Sequence, residues 1–142
     1  MKKLTAAVLI IVILIVGAVA YYLILQKTLA PGEIPAYVTG EMREVYEWAK
    51  TAEGKVLLEQ VPCYCGCSYE VHKHARHCFW RDDGVFDNHA ISCSTCFNTG
   101  KKVMEMHEEG KNICEIRKEI DDFYKDVKNL ATETPMPESC II

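Results

Sequence analysis

The sequence predicts an all-α fold in which an N-terminal transmembrane helix precedes a small helical domain organised around a Cys/His cluster. Three observations predict it. A long apolar run opens the chain, several later segments repeat apolar residues at helical spacing, and all eight cysteines and five histidines follow that run. The 142 residues contain no internal repeat and no pair of alternating segments typical of a β-hairpin. We therefore expect one anchor and one helical domain.

The first element is an apolar run from Leu4 to Leu25 that follows two lysines. About 20 apolar residues span a bilayer as a helix, and lysines before the run favour a cytoplasmic N-terminus with the rest of the chain outside. A cleaved signal peptide is the alternative, because Ala18-Val19-Ala20 has the small-x-small form of a cleavage site. Since apolar sequence continues past that site, we expect residues 1–25 to anchor the chain in the cytoplasmic membrane and residues 26–38 to form a linker.

The part of the chain after the anchor is acidic. It contains 14 basic and 20 acidic residues, which give a formal charge of −6 with neutral histidines. A negative surface repels the phosphates of nucleic acids and of anionic lipids, and it attracts cations. The composition therefore excludes nucleic acid as a partner.

Helical periodicity predicts the elements of the domain, which we expect to cover residues 39–130. Thr39 is predicted to cap a first helix, which Gly54 interrupts. A further helix is predicted from Tyr69 to Trp80, before a turn.

The next predicted helix carries metal-binding side chains on one face. It is capped by Asp87 or Asn88 and ends at Gly110. At about 100° per residue, one histidine and two cysteines fall on the same narrow face, and Gly100 on that face permits close approach by another element. These three residues are His89, Cys93 and Cys96.

The last predicted helix begins at Asn112, which together with Glu115 resembles a capping box. Its apolar stripe continues to Leu130. Two prolines follow, so we expect residues 131–142 to be a flexible tail.

The densest group of cysteines lies in the hexapeptide Pro62–Cys67. Alternate residues of an extended segment share a face, so Cys63, Cys65 and Cys67 can point the same way. Thiols two residues apart are poor disulfide partners, because bridging them closes a very small, strained ring. This arrangement is typical of thiolates that hold a soft metal ion.

Other donors join this loop. They are Cys78 with a histidine before it, and the donors on the predicted helix face. Six thiols and two imidazoles make eight donors, enough for two tetrahedral sites or for one thiolate-bridged cluster. In a continuous helix the histidine one turn before Cys78 is His74, whereas His72 points away.

Two alternatives to metal binding remain open. An even number of cysteines outside the cytoplasm is typical of a disulfide scaffold, although these thiols bunch with histidines and the domain has enough apolar residues for its own core. A thiol–disulfide oxidoreductase would use Cys93 and Cys96, but the β-α alternation of a thioredoxin-like fold is absent from the sequence. We expect Cys114 to be a small buried side chain, and Cys140 either to pair with it or to stay free.

These residues resemble the bacterial and archaeal family that is named after its PCYCGC motif, whose members are largely uncharacterised extracytoplasmic proteins and often lipid-anchored. The resemblance spans Pro35 to Lys125. It is carried by Pro62–Cys67, by His72-Lys73 before Cys78-Phe79, and by Phe86-Asp87 with His89-Ala90 and the Cys93-x-x-Cys96 pair. The resemblance implies that His72, not His74, is the ligand. The family has no settled activity, so the resemblance supports the site more than the function.

We therefore predict a membrane-anchored extracytoplasmic protein that captures, delivers or buffers a transition metal ion. Thiolate and imidazole donors favour copper, as Cu(I), with zinc next. A saturated site leaves no position for substrate, so we do not expect an enzyme. The predicted partners are the membrane and a membrane metalloprotein or transporter. The predicted ligands are Cys63, Cys65, Cys67, His72, Cys78, His89, Cys93 and Cys96.

Overall fold

The computed structural model describes residues 2–25, 30–66 and 72–141. In these ranges the chain contains one isolated β-bridge, between Trp80 and Phe86, and no strand. The predicted all-α class is therefore confirmed for this part of the chain. Its α-helices are α1 Lys2–Leu25, α2 Gly40–Lys50, α3 Ala52–Glu59, α4 His89–Ser92, α5 Ser94–Glu108 and α6 Ile113–Phe123. Its 3-10 helices cover Ala75–Cys78, Lys125–Leu130 and Glu138–Cys140.

Helix α1 is a continuous helix of 24 residues. The side chains described in it, from Ile10 to Tyr21, are all exposed. Judged by length and hydropathy together, none of the helices in the described ranges qualifies as a membrane span. The predicted transmembrane helix is thus not supported.

The core forms around α5, which packs against α2, α3, α6 and the 3-10 helix Ala75–Cys78, and α3 also packs against this 3-10 helix. The ring of Tyr46 on α2 lies 5.0 Å from that of Phe79 and 4.8 Å from that of Phe86. Its hydroxyl donates a hydrogen bond of 2.8 Å to the Asp87 carbonyl oxygen. Buried aromatic pairs of this kind contribute about 0.5–1.5 kcal/mol each beyond their area burial. They hold the segments on either side of the turn against α2.

Gly100 brings α5 close to the 3-10 helix, as its position on the predicted helix face indicates. A β-carbon there would overlap the ring of Phe79. Phe79 directly follows Cys78, and Gly100 lies one turn after Cys96. The missing side chain thus lets two cysteine-bearing segments pack in contact.

The break between α2 and α3 lies at Thr51, so the predicted interruption at Gly54 is wrong. Thr51 is extended, and its side-chain oxygen accepts a hydrogen bond of 3.0 Å from the Gly54 backbone N–H. This cap begins α3, in which Gly54 lies buried against the carbonyl of Trp48. Thr39 occupies the predicted N-cap position of α2, but its side chain makes no capping bond.

The predicted helix from Tyr69 to Trp80 is also wrong where the structure describes it. His74 is extended, with φ −162° and ψ 172°, and only the short 3-10 helix follows. The Ala75 backbone N–H bonds to the Val61 carbonyl at 2.8 Å instead of to a helical partner. A long-range bond to Val61, two residues after the end of α3, therefore replaces the local helical bonds. Residues 69–71 lie outside the described ranges.

The helix predicted between Asn88 and Gly110 is broken at Cys93. Asn88 occupies the N-cap position of α4 without a side-chain capping bond, and Asp87 Oδ1 accepts a hydrogen bond of 2.9 Å from the His89 N–H. Gly110 follows α5 with φ +84°, so the predicted start and end of this region are confirmed. Between the two helices Cys93 is extended, with φ −124° and ψ 106°, and it serves as the N-cap of α5. His89 therefore lies on α4 and Cys96 on α5, and the predicted ligands do not share the face of one continuous helix.

The capping box at α6 is confirmed. The Asn112 side chain accepts from the backbone N–H groups of Cys114 and Glu115, and the Glu115 carboxylate accepts from the Asn112 N–H at 2.9 Å. The α-helix ends at Phe123, before the predicted Leu130, and a 3-10 helix with a kink at Val127 follows.

The segment after Ala131 makes specific contacts, although its two prolines predicted a flexible tail. The Thr132 backbone N–H donates to the Cys63 carbonyl at 2.9 Å, and the Cys63 N–H donates to Thr132 Oγ1 at 3.0 Å. The buried Arg117 guanidinium donates to the Thr134 carbonyl at 3.1 Å. A disulfide joins Cys114 to Cys140. Cys114 is therefore not the small buried thiol that the sequence predicts, and of the two alternatives for Cys140 the pairing with Cys114 is confirmed.

Candidate metal centre

Cys63 is the centre of a compact group of sulfur atoms. It is 1% exposed, and Thr132 holds both its N–H and its C=O. Its Sγ lies 3.1 Å from Cys65 Sγ, 3.4 Å from Cys78 Sγ and 3.5 Å from Cys96 Sγ. Cys96 Sγ is also 3.2 Å from Cys65 Sγ. The loop, the 3-10 helix and α5 thus each bring sulfur to one place.

Two imidazoles border these sulfurs. His72 Nδ1 lies 3.7 Å from Cys78 Sγ, and His89 Nε2 lies 3.7 Å from Cys65 Sγ. The two rings are 5.0 Å apart. The helical argument for His74 fails because the segment before Cys78 is not an α-helix, and the structure brings His72 to the sulfurs instead.

The donors form two groups that share Cys96. In each group the ligand atoms lie within 4.8 Å of one another. One group is all sulfur, and the other includes an imidazole. Of the eight predicted ligands, the structure brings seven to this centre, and Cys67 lies outside the described residues. The groups are Cys63, Cys78 and Cys96, and Cys65, His89, Cys93 and Cys96.

Hydrogen bonds within the cluster concentrate negative charge on Cys63. Bonds from Cys78 and Cys96 lower the pKa of the Cys63 thiol far below its ordinary value. The same interactions with Cys63, together with burial, raise the pKa values of the Cys78 and Cys96 thiols. The cluster thus favours ionisation at Cys63 and protonation at Cys78 and Cys96. A buried charge is costly without a partner of opposite charge, which a cation would supply.

Burial favours the neutral form of His72, one of the two histidines beside the sulfurs. Burial lowers the pKa of His72, and the neighbouring carboxylate of Asp87 opposes this shift only in part. Neutral imidazole is the form that binds metal ions.

Cys65 differs from the other cysteines of the centre because it is disulfide-bonded in the structure. The prediction that all sulfurs of this loop are thiols is therefore wrong for Cys65. A sulfur in a disulfide carries no thiolate charge, so Cys65 can ligate an ion strongly only after reduction. The free cysteines among the described residues are Cys63, Cys78, Cys93 and Cys96.

A cavity of about 590 Å³ lies beside the centre and opens to solvent. Two of its wall residues, His72 and His89, are the imidazoles that contact the sulfurs. The rest of the wall is mostly charged, and acidic side chains outnumber basic ones. The other lining residues are Lys73, His77, Arg81, Asp82, Asp83, Asp87 and Asn88.

Sequence reasoning missed the residues that position the loop. The Tyr64 ring stacks on the Tyr124 ring at 4.7 Å, and its hydroxyl donates to Asp121. Arg117 Nε donates to the same carboxylate at 2.8 Å. Thr132 holds the backbone of Cys63, as described above. The contacts of Tyr64 and Thr132 join residues far apart in the chain, so helical periodicity does not predict them. The spacing of four residues between Arg117 and Asp121 on the predicted last helix is a signal that the sequence does carry.

Comparison with known proteins gives a family and no activity. The sequence profile of a family described as a protein of unknown function with PCYCGC motif matches residues 23–137. The chain matches no curated protein. It matches no solved structure either. The function therefore has to be argued from the geometry of the centre.

Proposed function

Since the chain belongs to the PCYCGC-motif family, whose function is unknown, we propose its function from the geometry of its sulfur centre. The protein binds a soft transition metal ion for capture, delivery or buffering, with copper favoured and zinc next. One observation carries the proposal: the sulfurs of Cys63, Cys78 and Cys96 converge within 4.8 Å of one another, and all three residues are buried.

The spacing of these sulfurs fits a metal ion. Bonds of about 2.3 Å at tetrahedral angles place ligand sulfurs about 3.8 Å apart. Cys63 Sγ lies 3.4 Å from Cys78 Sγ and 3.5 Å from Cys96 Sγ. Insertion of an ion therefore requires the sulfurs to separate by only a fraction of an ångström. It also supplies the positive charge that the buried Cys63 thiolate lacks.

The donor chemistry favours copper in the sulfur-only group. Thiolates select Cu(I) and Zn(II) among the ions that proteins commonly bind. Cys63, Cys78 and Cys96 offer three sulfurs in a buried site, which suits Cu(I). The second group adds His89 and, after reduction, Cys65, which suits Zn(II) as well. Because Cys96 belongs to both groups, it would bridge two ions if both groups were filled.

A thiol–disulfide exchange activity is the second candidate. It is favoured by Cys63 Sγ, which lies 3.1 Å from the disulfide-bonded sulfur of Cys65. Attack by the Cys63 thiolate would form a Cys63–Cys65 disulfide and release the former partner of Cys65 as a thiolate, with no net oxidation. Because this disulfide closes a small, strained ring, a further thiol would open it readily. Turnover of a small aromatic disulfide with glutathione, lost in Cys63→Ser, would support it. Absence of turnover in the wild-type protein rejects it.

The location outside the cytoplasm and the attachment to the membrane are part of the proposal. The Cys114–Cys140 disulfide supports an oxidising compartment. The anchor and a membrane metalloprotein or transporter as partner are proposed on the apolar sequence from Leu4 to Leu25 alone. Fractionation of cells that express the full chain, or the chain without residues 2–25, tests the anchor. Equal amounts of both proteins in the soluble fraction would contradict it.

Metal analysis of the full chain tests the main proposal. Protein purified anaerobically with reductant and then loaded should retain at least one equivalent of copper or zinc. Cys63→Ser should lose most of it. The double variant Cys114→Ser/Cys140→Ser is the matched control, since it removes two cysteines outside the centre and should retain the metal. Wild-type protein that stays metal-free after loading would reject the proposal.

A further inference from the structure

A third group of donors lies outside the sulfur centre, on the wall of the same cavity. The ligand atoms of His74, His77 and Asp82 lie within 4.8 Å of one another. His77 Nε2 is 2.7 Å from Asp82 Oδ1, and the rings of His74 and His77 are 4.1 Å apart. None of these residues belongs to the two groups that share Cys96. Two imidazoles and one carboxylate thus converge without any thiol.

One ring nitrogen of this group lacks a hydrogen-bond partner among the described residues. His74 Nδ1 is buried and has no hydrogen-bond partner among the described residues. Buried polar side-chain atoms nearly always have a partner, so an exception calls for a physical explanation. A cation bound to this histidine would use the lone pair that the neutral ring carries on one of its nitrogens.

We propose that His74, His77 and Asp82 form a second metal site, which takes a borderline divalent ion such as Zn²⁺ or Ni²⁺ from solution. Imidazole and carboxylate ligands suit such ions, and the donor group of the sulfur centre that contains His89 suits Zn²⁺ as well. Three protein ligands leave a further coordination position for water. His77 and Asp82 line the solvent-open cavity, so an ion held there exchanges readily.

An ion would replace the 2.7 Å hydrogen bond between His77 Nε2 and Asp82 Oδ1 with a bond from each of these atoms to the metal. The other contacts that it would displace are weak. Lys73 Nζ lies 3.5 Å from Asp82 Oδ2, and both side chains are about two-thirds exposed, at 68% and 65%. Exposed pairs of this kind contribute little to stability. The Lys73 backbone N–H donates to His77 Nδ1 at 3.3 Å, which is a long bond. When the ion occupies Nε2, the ring proton moves to Nδ1 and this bond is lost.

The position of the second site gives it a further role, which rests on the proposed function of the sulfur centre. The His77 ring lies 6.1 Å from the His72 ring, and the His72 ring lies 5.0 Å from the His89 ring. His72 and His89 border the sulfurs and also line the cavity. An ion at the second site is therefore one imidazole away from the ligands of the sulfur centre. The second site receives the ion before the sulfur centre takes it.

Titration of the full chain with Ni²⁺ alone tests the site, with the bound metal counted by equilibrium dialysis. Nickel bound to sulfur gives thiolate-to-metal charge-transfer absorption, whereas nickel bound to imidazole and carboxylate does not. We expect one equivalent without this absorption in the wild-type protein. His77→Gln should lose that equivalent, and the exposed change Asp82→Asn should weaken it at least about tenfold. His107→Gln, at the end of α5, is the matched control and should retain it.

The outcomes separate the two proposals. Equal numbers of equivalents in His77→Gln, Asp82→Asn and His107→Gln would overturn the second site. If neither the wild-type protein nor any variant shows charge-transfer absorption, but the wild-type protein and His107→Gln still bind the one nickel equivalent assigned to the second site, the sulfur centre is rejected and the second site is retained. For the intake role, the charge-transfer absorption should grow several-fold more slowly in Asp82→Asn than in His107→Gln. Equal rates would overturn that role. Equal thermal unfolding of these variants excludes a folding defect as the cause of a loss.

Discussion

Among the described residues, the cysteines lie in two regions that differ in burial and in chemistry. Cys114 and Cys140 are only partly buried and are joined by a disulfide between α6 and the C-terminal segment. Cys63, Cys78 and Cys96 are buried and free, and hydrogen bonds from Cys78 and Cys96 lower the pKa of the Cys63 thiol. The first region closes a loop, whereas the second collects donors from three segments. Burial and neighbouring side chains, rather than the number or spacing of cysteines, therefore determine the chemistry of each thiol in this protein.

The largest effect is expected from Cys96, which belongs to both donor groups. Cys96→Ser should abolish tight binding of copper or zinc, because it removes a shared ligand from each group. Cys93→Ser is the matched change three residues away, and it leaves the group of Cys63, Cys78 and Cys96 intact. Competition titrations with a chelator of known affinity measure both variants. Equal losses of metal affinity in the two variants would show that Cys96 is not a ligand shared by both groups.

The disulfide region should respond in stability and not in metal binding. The bond between Cys114 and Cys140 spans 26 residues, and closing a loop of that length stabilises a fold by about 3.5 kcal/mol in the chain-entropy account. Cys114→Ser/Cys140→Ser should therefore lower the free energy of unfolding by about that amount in denaturant titrations. Metal stoichiometry should stay the same. A loss of metal with unchanged stability would reverse the assignment of the two regions.

A smaller effect is expected at Thr132, which connects the two regions. Thr132→Val keeps the shape of the side chain but leaves the buried Cys63 N–H without its acceptor. The cost should be about 1–3 kcal/mol in unfolding experiments, with weaker metal binding as the loop loosens. Thr39→Val is the control, because Thr39 makes no side-chain cap bond. If the two changes have equal effects, Thr132 does not position Cys63.

A pH-dependent effect on metal affinity is expected from proton release at the sulfur centre. Hydrogen bonds to Cys63 raise the pKa values of the Cys78 and Cys96 thiols, so both are protonated in the metal-free protein at neutral pH. An ion that binds both must displace their protons, and its apparent affinity should rise with pH by about tenfold per unit for each proton released. Titrations between about pH 6 and pH 8 measure this slope. A flat profile would show that these thiols do not ligate the ion.

Local features of the fold were readable from the sequence because their physical causes are local. The capping box of Asn112 and Glu115 joins residues three apart, and it begins α6 as predicted. Gly110 ends the helix that bears the metal ligands because a residue with φ +84° suits glycine. Helical periodicity also placed Gly100 on the face that meets another element. Each of these predictions needed only neighbouring residues and the geometry of one helix.

The breaks in regular structure were not readable, because distant contacts cause them. The Val61 carbonyl takes the Ala75 N–H, and this bond prevents the helix that the sequence predicts before Cys78. That break carries His72 to the sulfurs and leaves His74 beside His77, which produces a second group of donors. No periodicity in the sequence encodes a bond between residues 14 positions apart.

The helical class of this domain and its sulfur and nitrogen ligands can be predicted from the sequence alone, since residue types and helical periodicity are read directly from it. Only the tertiary structure decided how the donors are divided. It gathered Cys63, Cys78 and Cys96 into one buried group, joined Cys114 to Cys140, and left Asp82 beside two imidazoles at the cavity. The physical reason is that convergence of side chains from separate segments depends on packing, whereas helix formation depends mainly on near neighbours.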